Sequence, residues 1–293
     1  MKKVAWDVRG AKSMKLRKLS IDEHWKTRIL WEEIFTEDSK EFLDYYYEAK
    51  TKENEIYVIE DGDQIVSMLH LNPYEMRIGN ALFDTHYIVA VATGEKYRKR
   101  GLMRELLTYA MDVMKGRGEP FTFLMPASEA IYKPFGFSFV YTQNRGYFTG
   151  KNHDIDGVTY VNALESDCEA IAEFANDMLS EYDIVTNRSA SYYETLLKEQ
   201  QSEAGGILLV KNKECIVGVL CYAKGHEWEM REPLFTDVRL MERAIYEVTR
   251  DEKVKVLCAG IGTEQKPMIM AKALNDFGEE VLRTAKVFLN EVV

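Results

Sequence analysis

No apolar run in the 293 residues approaches the roughly 18–20 that a membrane-spanning helix needs; the longest, such as Ile216–Ala223, are strand-sized. The first ten residues, MKKVAWDVRG, carry charge but lack the apolar stretch of a secretory signal. Cysteine is scarce. Cys168, Cys215, Cys221 and Cys258 have no Cys-x-x-Cys spacing, so neither a disulfide framework nor a zinc site is indicated. A reducing cytoplasm is the expected home. His24, His70, His153 and His226 show no ligand spacing, and no metal is expected. Six prolines and 18 glycines are too few for a low-complexity chain, and 46% hydrophobic with 29% charged residues is a globular balance. An excess of positive charge is also missing. Lys and Arg number 38 against 48 Asp and Glu, a net −10. Residues 1–150 balance at 22 of each sign, so residues 151–293, with 16 basic and 26 acidic, carry the whole −10. An acidic half repels phosphate backbones and can attract cationic small molecules, so neither nucleic acid nor membrane is an expected partner.

Length alone predicts about two domains. Ser13–Leu19 alternates as a strand, and Ser20 with Glu23 forms a capping box for a helical stretch that runs to about Lys52 and breaks near 36–39. Trp25, Ile29, Leu30 and Ile34, and later Phe42, Tyr45 and Tyr46, recur at helix spacing as its apolar face. Strands are predicted over Glu55–Glu60, Gln64–Asn72 and Ala81–Thr93, joined by turns at Gly62 and Gly79. An amphipathic helix from Leu102 to Met114 is stopped by Gly116 and Gly118. A strand over Pro120–Pro126, a short helix over Ser128–Phe135 and a strand over Phe137–Tyr147 follow. This alternation is α/β. The second half repeats it more loosely: helical over Ala163–Glu203, a hairpin over Gly206–Lys224, a helix over Thr236–Thr249, a strand over Val254–Ala259, and one or two helices over Pro267–Val293. That reads as an internal duplication.

Two stretches carry chemistry. In the first, the near-continuous apolar run Tyr87–Ala92 hands over to a helix through Val91-Ala92-Thr93-Gly94-Glu95-Lys96-Tyr97-Arg98-Lys99-Arg100-Gly101-Leu102-Met103-Arg104. The first turn of a helix has unpaired N–H groups and the positive end of the helix dipole, which makes it an anion site. Gly101 lets a diphosphate approach the backbone, and Arg98, Lys99, Arg100 and Arg104 add charge. A solvated basic loop is the plainer alternative. Placement beyond a buried strand favours a ligand, because open α/β sheets bind there. In the second stretch, Ser128-Glu129-Ala130-Ile131-Tyr132-Lys133-Pro134-Phe135-Gly136-Phe137 puts a tyrosine on a short helix ahead of an aromatic-Gly-aromatic step. A tyrosine holds its proton at neutral pH and can give it to a strong base such as a departing thiolate. A packed core tyrosine is the commoner fate of any one of the 17.

Together these residues resemble the GNAT acetyltransferases, whose signature is Arg/Gln-x-x-Gly-x-Gly/Ala after a strand often reading Val-Ala-Thr. The sequence has Val91-Ala92-Thr93 and then Arg98-Lys99-Arg100-Gly101-Leu102-Met103. Met103, where Gly or Ala is usual, and the Ser128-Glu129…Ile131-Tyr132…Phe135-Gly136-Phe137 stretch are similar to the Eis (enhanced intracellular survival) branch. The resemblance implies tandem GNAT-like domains of mixed twisted sheet flanked by helices (α/β, or α+β). It implies an acetyl-CoA-binding catalytic domain over 13–150, a second, degenerate unit over 151–260, and a C-terminal helical segment and tail over 261–293. It further implies acetyl-CoA as donor, a primary amine on a small molecule or peptide as acceptor, and a homo-oligomer as one form of assembly. Val91–Thr93 would pair with the pantetheine arm, the amides from Lys99 to Arg104 would hold the pyrophosphate, Ser128 and Glu129 would flank the cofactor, and Tyr132 would be the general acid. The specific motifs span 14–148. No second cradle occurs after Ala163, so one donor site is expected.

The residues show no obvious base. Asp84 and His86 share a strand face, but a strand histidine held by a neighbour is the simpler reading of His86. In the Eis group the terminal carboxylate enters the active site as base, and the apolar end Phe288-Leu289-Asn290-Glu291-Val292-Val293 puts Val293 forward for that role. The Eis proteins carry a third, sterol-carrier-like domain, for which the residues after the second unit are too few. Glu227, Glu229 and Glu291 are candidates for attracting an amine. No cysteine lies near either motif, so direct attack in a ternary complex is expected. A non-catalytic acyl-CoA sensor and a peptide or protein acetyltransferase remain as alternatives.

Overall fold

The computed structural model describes residues 14–225, 227–257 and 264–291; the leader, His226, Cys258 and Val293 lie outside them. The first half runs β1 (Lys15–Lys18), α1 (Arg28–Ile34), α2 (Lys40–Glu48), β2 (Glu55–Asp61), β3 (Gln64–Ile78), β4 (Ala81–Thr93), α3 (Leu102–Gly116), β5 (Phe121–Leu124), α4 (Glu129–Tyr132) and β6 (Ser138–Thr149). The second runs β7 (Val158–Asn162), α5 (Cys168–Met178), β8 (Ile184–Thr186), α6 (Ala190–Ser202), β9 (Gly206–Asn212), β10 (Cys215–Lys224), β11 (Trp228–Phe235), α7 (Val238–Thr249) and β12 (Lys253–Leu257). The last segment contributes β13 (Glu264–Ala273), α8 (Asp276–Thr284) and β14 (Val287–Phe288). The architecture is the expected mixed α/β one.

The two halves share one sheet, in the order β1-β2-β3-β4-β5-β13-β6-β12-β11-β10-β9-β7, with β8 joining β3 to β14 at its side. Strand β6 is the seam: it pairs with β13 through Ser138–Arg145 and with β12 through Arg145–Thr149. In the first half, Leu102, Leu106, Leu107, Ala110 and Met114 of α3 bury one sheet face, while Leu30, Trp31, Phe42 and Tyr46 of α1 and α2 bury the other. The 3.6-residue spacing of the α3 set supplies that stripe directly. In the second half α5 and α6 cover one face and α7 the other. The halves also meet through backbone and side-chain bonds: Gly79 N–H to the Asp183 carbonyl at 2.8 Å, and the Arg77 guanidinium to the Leu179 carbonyl at 2.9 Å.

Three sequence readings change. Trp25 and Ile29, expected in the helix's apolar face, are 62% and 72% exposed. Residues Ile21–Thr27 form a 3-10 turn, whose three-residue period turns Trp25 outward; Leu30 is buried as expected, and Trp31 joins it. Pro267–Ala273, expected to be helical, belongs to β13. Its Met268-Ile269-Met270-Ala271 run is too short for periodicity to separate helix from strand, and burial between β5 and β6 decides it. Strands β7, β8 and β11 also went unpredicted. No helix among the described residues is long and apolar enough to cross a membrane.

Candidate active site

Strands β4 and β5 run parallel but share a single pair, Tyr87 with Phe123. Beyond it β4 continues to Thr93 with no strand on that side, so Val91, Ala92 and Thr93 line an open wedge. A bulge bends β4 there. Met68 pairs with Ala92 and His70 with Val89, leaving Ala90 and Val91 opposite Leu69 alone, and Ala90 takes φ 52°. A non-glycine residue in that region costs on the order of 1–3 kcal/mol and marks a position the surroundings hold for a reason.

At the mouth of the wedge the chain turns into α3. Lys99 has φ 61° and Gly101, the N-cap, φ 85°; no side chain caps the helix. The Glu105 N–H donates to the Gly101 carbonyl at 3.0 Å, but the six amides from Lys99 to Arg104 donate to no described group. Arg98, Lys99, Arg100 and Arg104 are exposed, and none forms an ion pair among the described residues. Arg98 Nε donates to the Thr93 carbonyl at 3.2 Å, which ties this loop to the strand. A Cβ on Gly101 would meet nothing within 4 Å, so internal packing does not require the glycine. Its left-handed backbone does, and so would an anion held against the amides. Free amides, a helix N-terminus and four unpaired cations fit a diphosphate. Leu102 and Met103 face inward, Leu102 within the core.

Tyr132 ends α4 and is 7% exposed, in the same core as Tyr87, Phe123 and Leu102. Its ring meets Phe137 edge-on at 6.0 Å. The Arg104 guanidinium lies 4.9 Å from the centre of the Phe135 ring and so joins the cradle to the α4 turn. The Tyr132 hydroxyl makes no hydrogen bond to a described residue, and burial pushes it up to about 12, so it keeps its proton. Tyr87, which hydrogen-bonds the Met125 backbone, is its electrostatic neighbour. Ser128 and Glu129 are exposed at the start of α4, with Glu129 3.3 Å from Lys133.

A cavity of about 390 Å³ is lined by residues of both halves. Tyr74 forms part of its wall and meets Tyr87 edge-on, with ring centres 6.4 Å apart. The chain's last described residues reach this cavity. Leu289, Asn290 and Glu291 are buried, and Asn290 accepts from Gln143 Nε2 at 2.6 Å. Glu291 lines the cavity and is held by Arg188 at 2.9 Å, which also pairs with Glu232 at 2.9 Å. Among the described residues Glu291 Oε2 and Arg188 Nε have no hydrogen-bond partner, so these residues satisfy the buried latch only in part. Glu199 also lines the cavity, and burial pushes its carboxyl up to about 7, with Arg231 at 3.6 Å opposing the shift. Sequence reasoning missed Lys50, Glu199, Arg188 and Glu232. They are scattered across three chain segments and no local pattern joins them.

Among the other sequence candidates, His86 is held at 2.9 Å by buried Glu119, the neighbour expected of a strand histidine. Asp84 is exposed. Glu229 is bound by Lys255 and Glu227 lies 3.3 Å from the Tyr147 hydroxyl; unlike Glu291, neither lines the cavity. Cys221 does line it, with burial raising its thiol well above the ordinary value. Among the described residues no group of three or more His, Cys, Asp and Glu is placed to hold a metal ion.

Residues 15–140 match the model of the acetyltransferase (GNAT) domain. No curated protein matches the chain by sequence. Solved structures share the fold. A probable N-acyltransferase from Enterococcus faecalis superposes with TM-score 0.73 at 13% identity, over 89% of this chain and 73% of its own. Eis1 from Mycobacterium abscessus gives 0.62 at 9%, over 89% and 74%. A tandem GNAT protein of clavulanic acid biosynthesis gives 0.58 at 10%, over 89% and 99%. Through residues 15–140 the chain thus carries the match to the GNAT acetyltransferase domain, within an overall fold that GNAT-related proteins share.

Proposed function

We propose that the chain is an N-acetyltransferase that moves an acetyl group from acetyl-CoA to a primary amine on a small molecule. The observation that carries this is the run of six amides, Lys99–Arg104, with no hydrogen-bond acceptor among the described residues, set among four cations with no ion pair among those residues, at the open end of β4. Acetyl-CoA supplies a thioester to the wedge. The amides of Lys99–Arg104 and the side chains of Arg98, Lys99, Arg100 and Arg104 hold its diphosphate. The β4 backbone at Val91–Thr93 aligns the pantetheine arm and polarises the carbonyl. Tyr132 keeps its proton until the amine has attacked and then gives it to the leaving thiolate. A cavity of about 390 Å³ is the size of a small-molecule site rather than a protein-docking groove. Its carboxylates draw the ammonium in.

The base in this reading is the α-carboxylate of Val293, outside the described residues. Glu291, two residues earlier, already lies in the cavity wall, and two residues of chain reach at most about 7 Å. Titration calorimetry with acetyl-CoA, together with release of CoA thiol in the presence of a panel of amines, tests the proposal. Heat of binding and amine-dependent thiol release are expected from the wild type. Binding without amine-dependent release would favour a sensor, and absence of both would overturn the assignment.

A further inference from the structure

The cavity has more carboxylates than cations, yet one of its cations is unused. Arg231 is fully engaged: Glu203 lies 2.5 Å away, Glu229 3.5 Å and Glu199 3.6 Å. Glu232 and Glu291 are taken by Arg188. Lys50 stands apart. It follows α2 in a single 3-10 turn, lines the cavity and is only 7% exposed. No carboxylate lies within ion-pair distance of it and no acceptor within hydrogen-bond distance, among the described residues. Its Nζ sits 5.1 Å from the centre of the Tyr74 ring, which also lines the cavity. Glu53, Glu199 and Glu291 act on it only at longer range, and burial lowers its affinity for a proton.

A buried ammonium with three donors and no acceptor among the described residues is costly unless something else supplies the acceptor. A bare amine cannot, since it would meet Lys50 with like charge. The cavity also holds the opposite need. Glu53 and Glu75 are exposed at its rim without ion pairs among the described residues; Glu75 accepts from Asn187 Nδ2 at 2.7 Å. A ligand that satisfies both places an anion on Lys50 and an ammonium toward the carboxylates. One lysine ringed by glutamates suits a single negative charge better than a phosphate dianion.

We propose that Lys50 binds a carboxylate of the acceptor, so that the enzyme's substrates are amines carrying an acid group, of amino-acid type. This rests on the acetyltransferase reading above. Lys50 is a specificity residue that touches the substrate's acid group and takes no part in proton transfer.

The test compares matched amines that differ only by the carboxylate: L-lysine with cadaverine, L-arginine with agmatine, L-phenylalanine with phenethylamine, each against the wild type, Lys50→Met and Lys50→Arg. Wild type is expected to favour the acid-bearing member of a pair in kcat/KM by roughly 30-fold or more. Lys50→Met should lose that preference through a raised KM, with the decarboxylated partner within about threefold of its wild-type value. Lys50→Arg should keep much of the preference. Equal or better turnover of the decarboxylated amines by wild type, preference for a phosphate-bearing amine such as phosphoethanolamine, or an unchanged preference in Lys50→Met would each overturn the proposal. Calorimetry of L-lysine and cadaverine, without donor, reads the same preference when no amine is turned over. Failure of the enzymatic reading therefore shows as absent thiol release with selective L-lysine binding intact, and failure of the Lys50 proposal as loss of that selectivity.

Discussion

Gly101 and Gly118 form a natural controlled pair at opposite ends of α3. Gly101 precedes the helix with φ 85° and Gly118 follows it with φ 81°; a Cβ added at either meets nothing within 4 Å. Alanine at either position therefore carries the same penalty and no clash. Holding an alanine in the left-handed region costs about 1–2 kcal/mol. For a chain of this size that lowers the melting temperature by a few degrees, at about 2–4 °C per kcal/mol. The two variants should differ in one respect only. At Gly101 the new methyl stands where the diphosphate must approach the Lys99–Arg104 amides, and losing one charge-assisted hydrogen bond there costs roughly 1.5–3 kcal/mol. That is about a 10- to 100-fold rise in Kd for acetyl-CoA, since 1.4 kcal/mol is a factor of ten. Gly118→Ala should bind acetyl-CoA like the wild type. Calorimetry gives Kd and a thermal melt gives the common strain. Equal Kd values for the two variants would refute the cradle, because the strain is matched and only the ligand contact differs.

Tyr132→Phe should lower kcat by roughly 10²–10⁴ in the thiol-release assay while leaving the melting temperature within a degree or so, because the hydroxyl it removes has no hydrogen-bond partner among the described residues. Appending four residues after Val293 should abolish amine-dependent turnover without weakening acetyl-CoA binding; full activity in the folded, extended protein would reject the terminal base. Arg188→Met strands Glu232 and Glu291 as buried, unpaired carboxylates and should cost about 3–5 kcal/mol in urea unfolding at pH 8. Glu199 has a folded pKa of about 7, above its ordinary 4.5, so folding favours its protonated form. Its cost is absent below about pH 4.5, grows between 4.5 and 7 and is complete above 7, where it reaches at most about 3 kcal/mol. Glu199→Gln should therefore be more stable than the wild type at pH 8 and indistinguishable from it near pH 4.5.

The proposed donor site stands out in the sequence because its residues are contiguous. Gly101 and its basic neighbours occupy seven consecutive positions, Arg98–Arg104, and the helix they introduce announces itself through Leu102, Leu106, Leu107, Ala110 and Met114. The bulge at Ala90 was invisible, since nothing in a Val-Ala-Val-Ala run says which residue leaves the ladder. The acceptor half was illegible for a different reason. Lys50 reads as one more surface lysine after an amphipathic helix, and Arg188 as an ordinary loop arginine. Only the meeting of α2, α6, β11 and the tail buries them. Burial of a charge is decided by tertiary contacts and leaves no periodic trace. The C-terminal region was read as helical because Met268–Ala271 is apolar without alternation, which both a buried helix and a strand buried on both faces would show.

The placement of β13 bears on how the two halves can be studied. Strands β5 and β6 belong to the first half, but the strand between them comes from residues 264–273. Met268, Ile269 and Met270 are buried in the same core as Tyr87, Phe123 and Tyr132. At about 1.5–3 kcal/mol for each of the three large side chains, that burial contributes about 4.5–9 kcal/mol, a large share of the 5–15 typical of a whole domain. The segment is also fastened at its end. Leu274 N–H donates to the Pro120 carbonyl at 2.9 Å, Asn275 caps α8 and donates to the Glu119 carbonyl, and Gly278 lies so close to Pro120 that a Cβ would stand 1.7 Å from its carbonyl oxygen. A fragment ending near residue 150 would expose two strand edges beside Tyr132 and lose the strand that fills the gap. In the proposed reading, donor binding and acceptor selection therefore both depend on one continuous sheet. A truncated first half should fail to hold acetyl-CoA even though it retains every residue of the cradle.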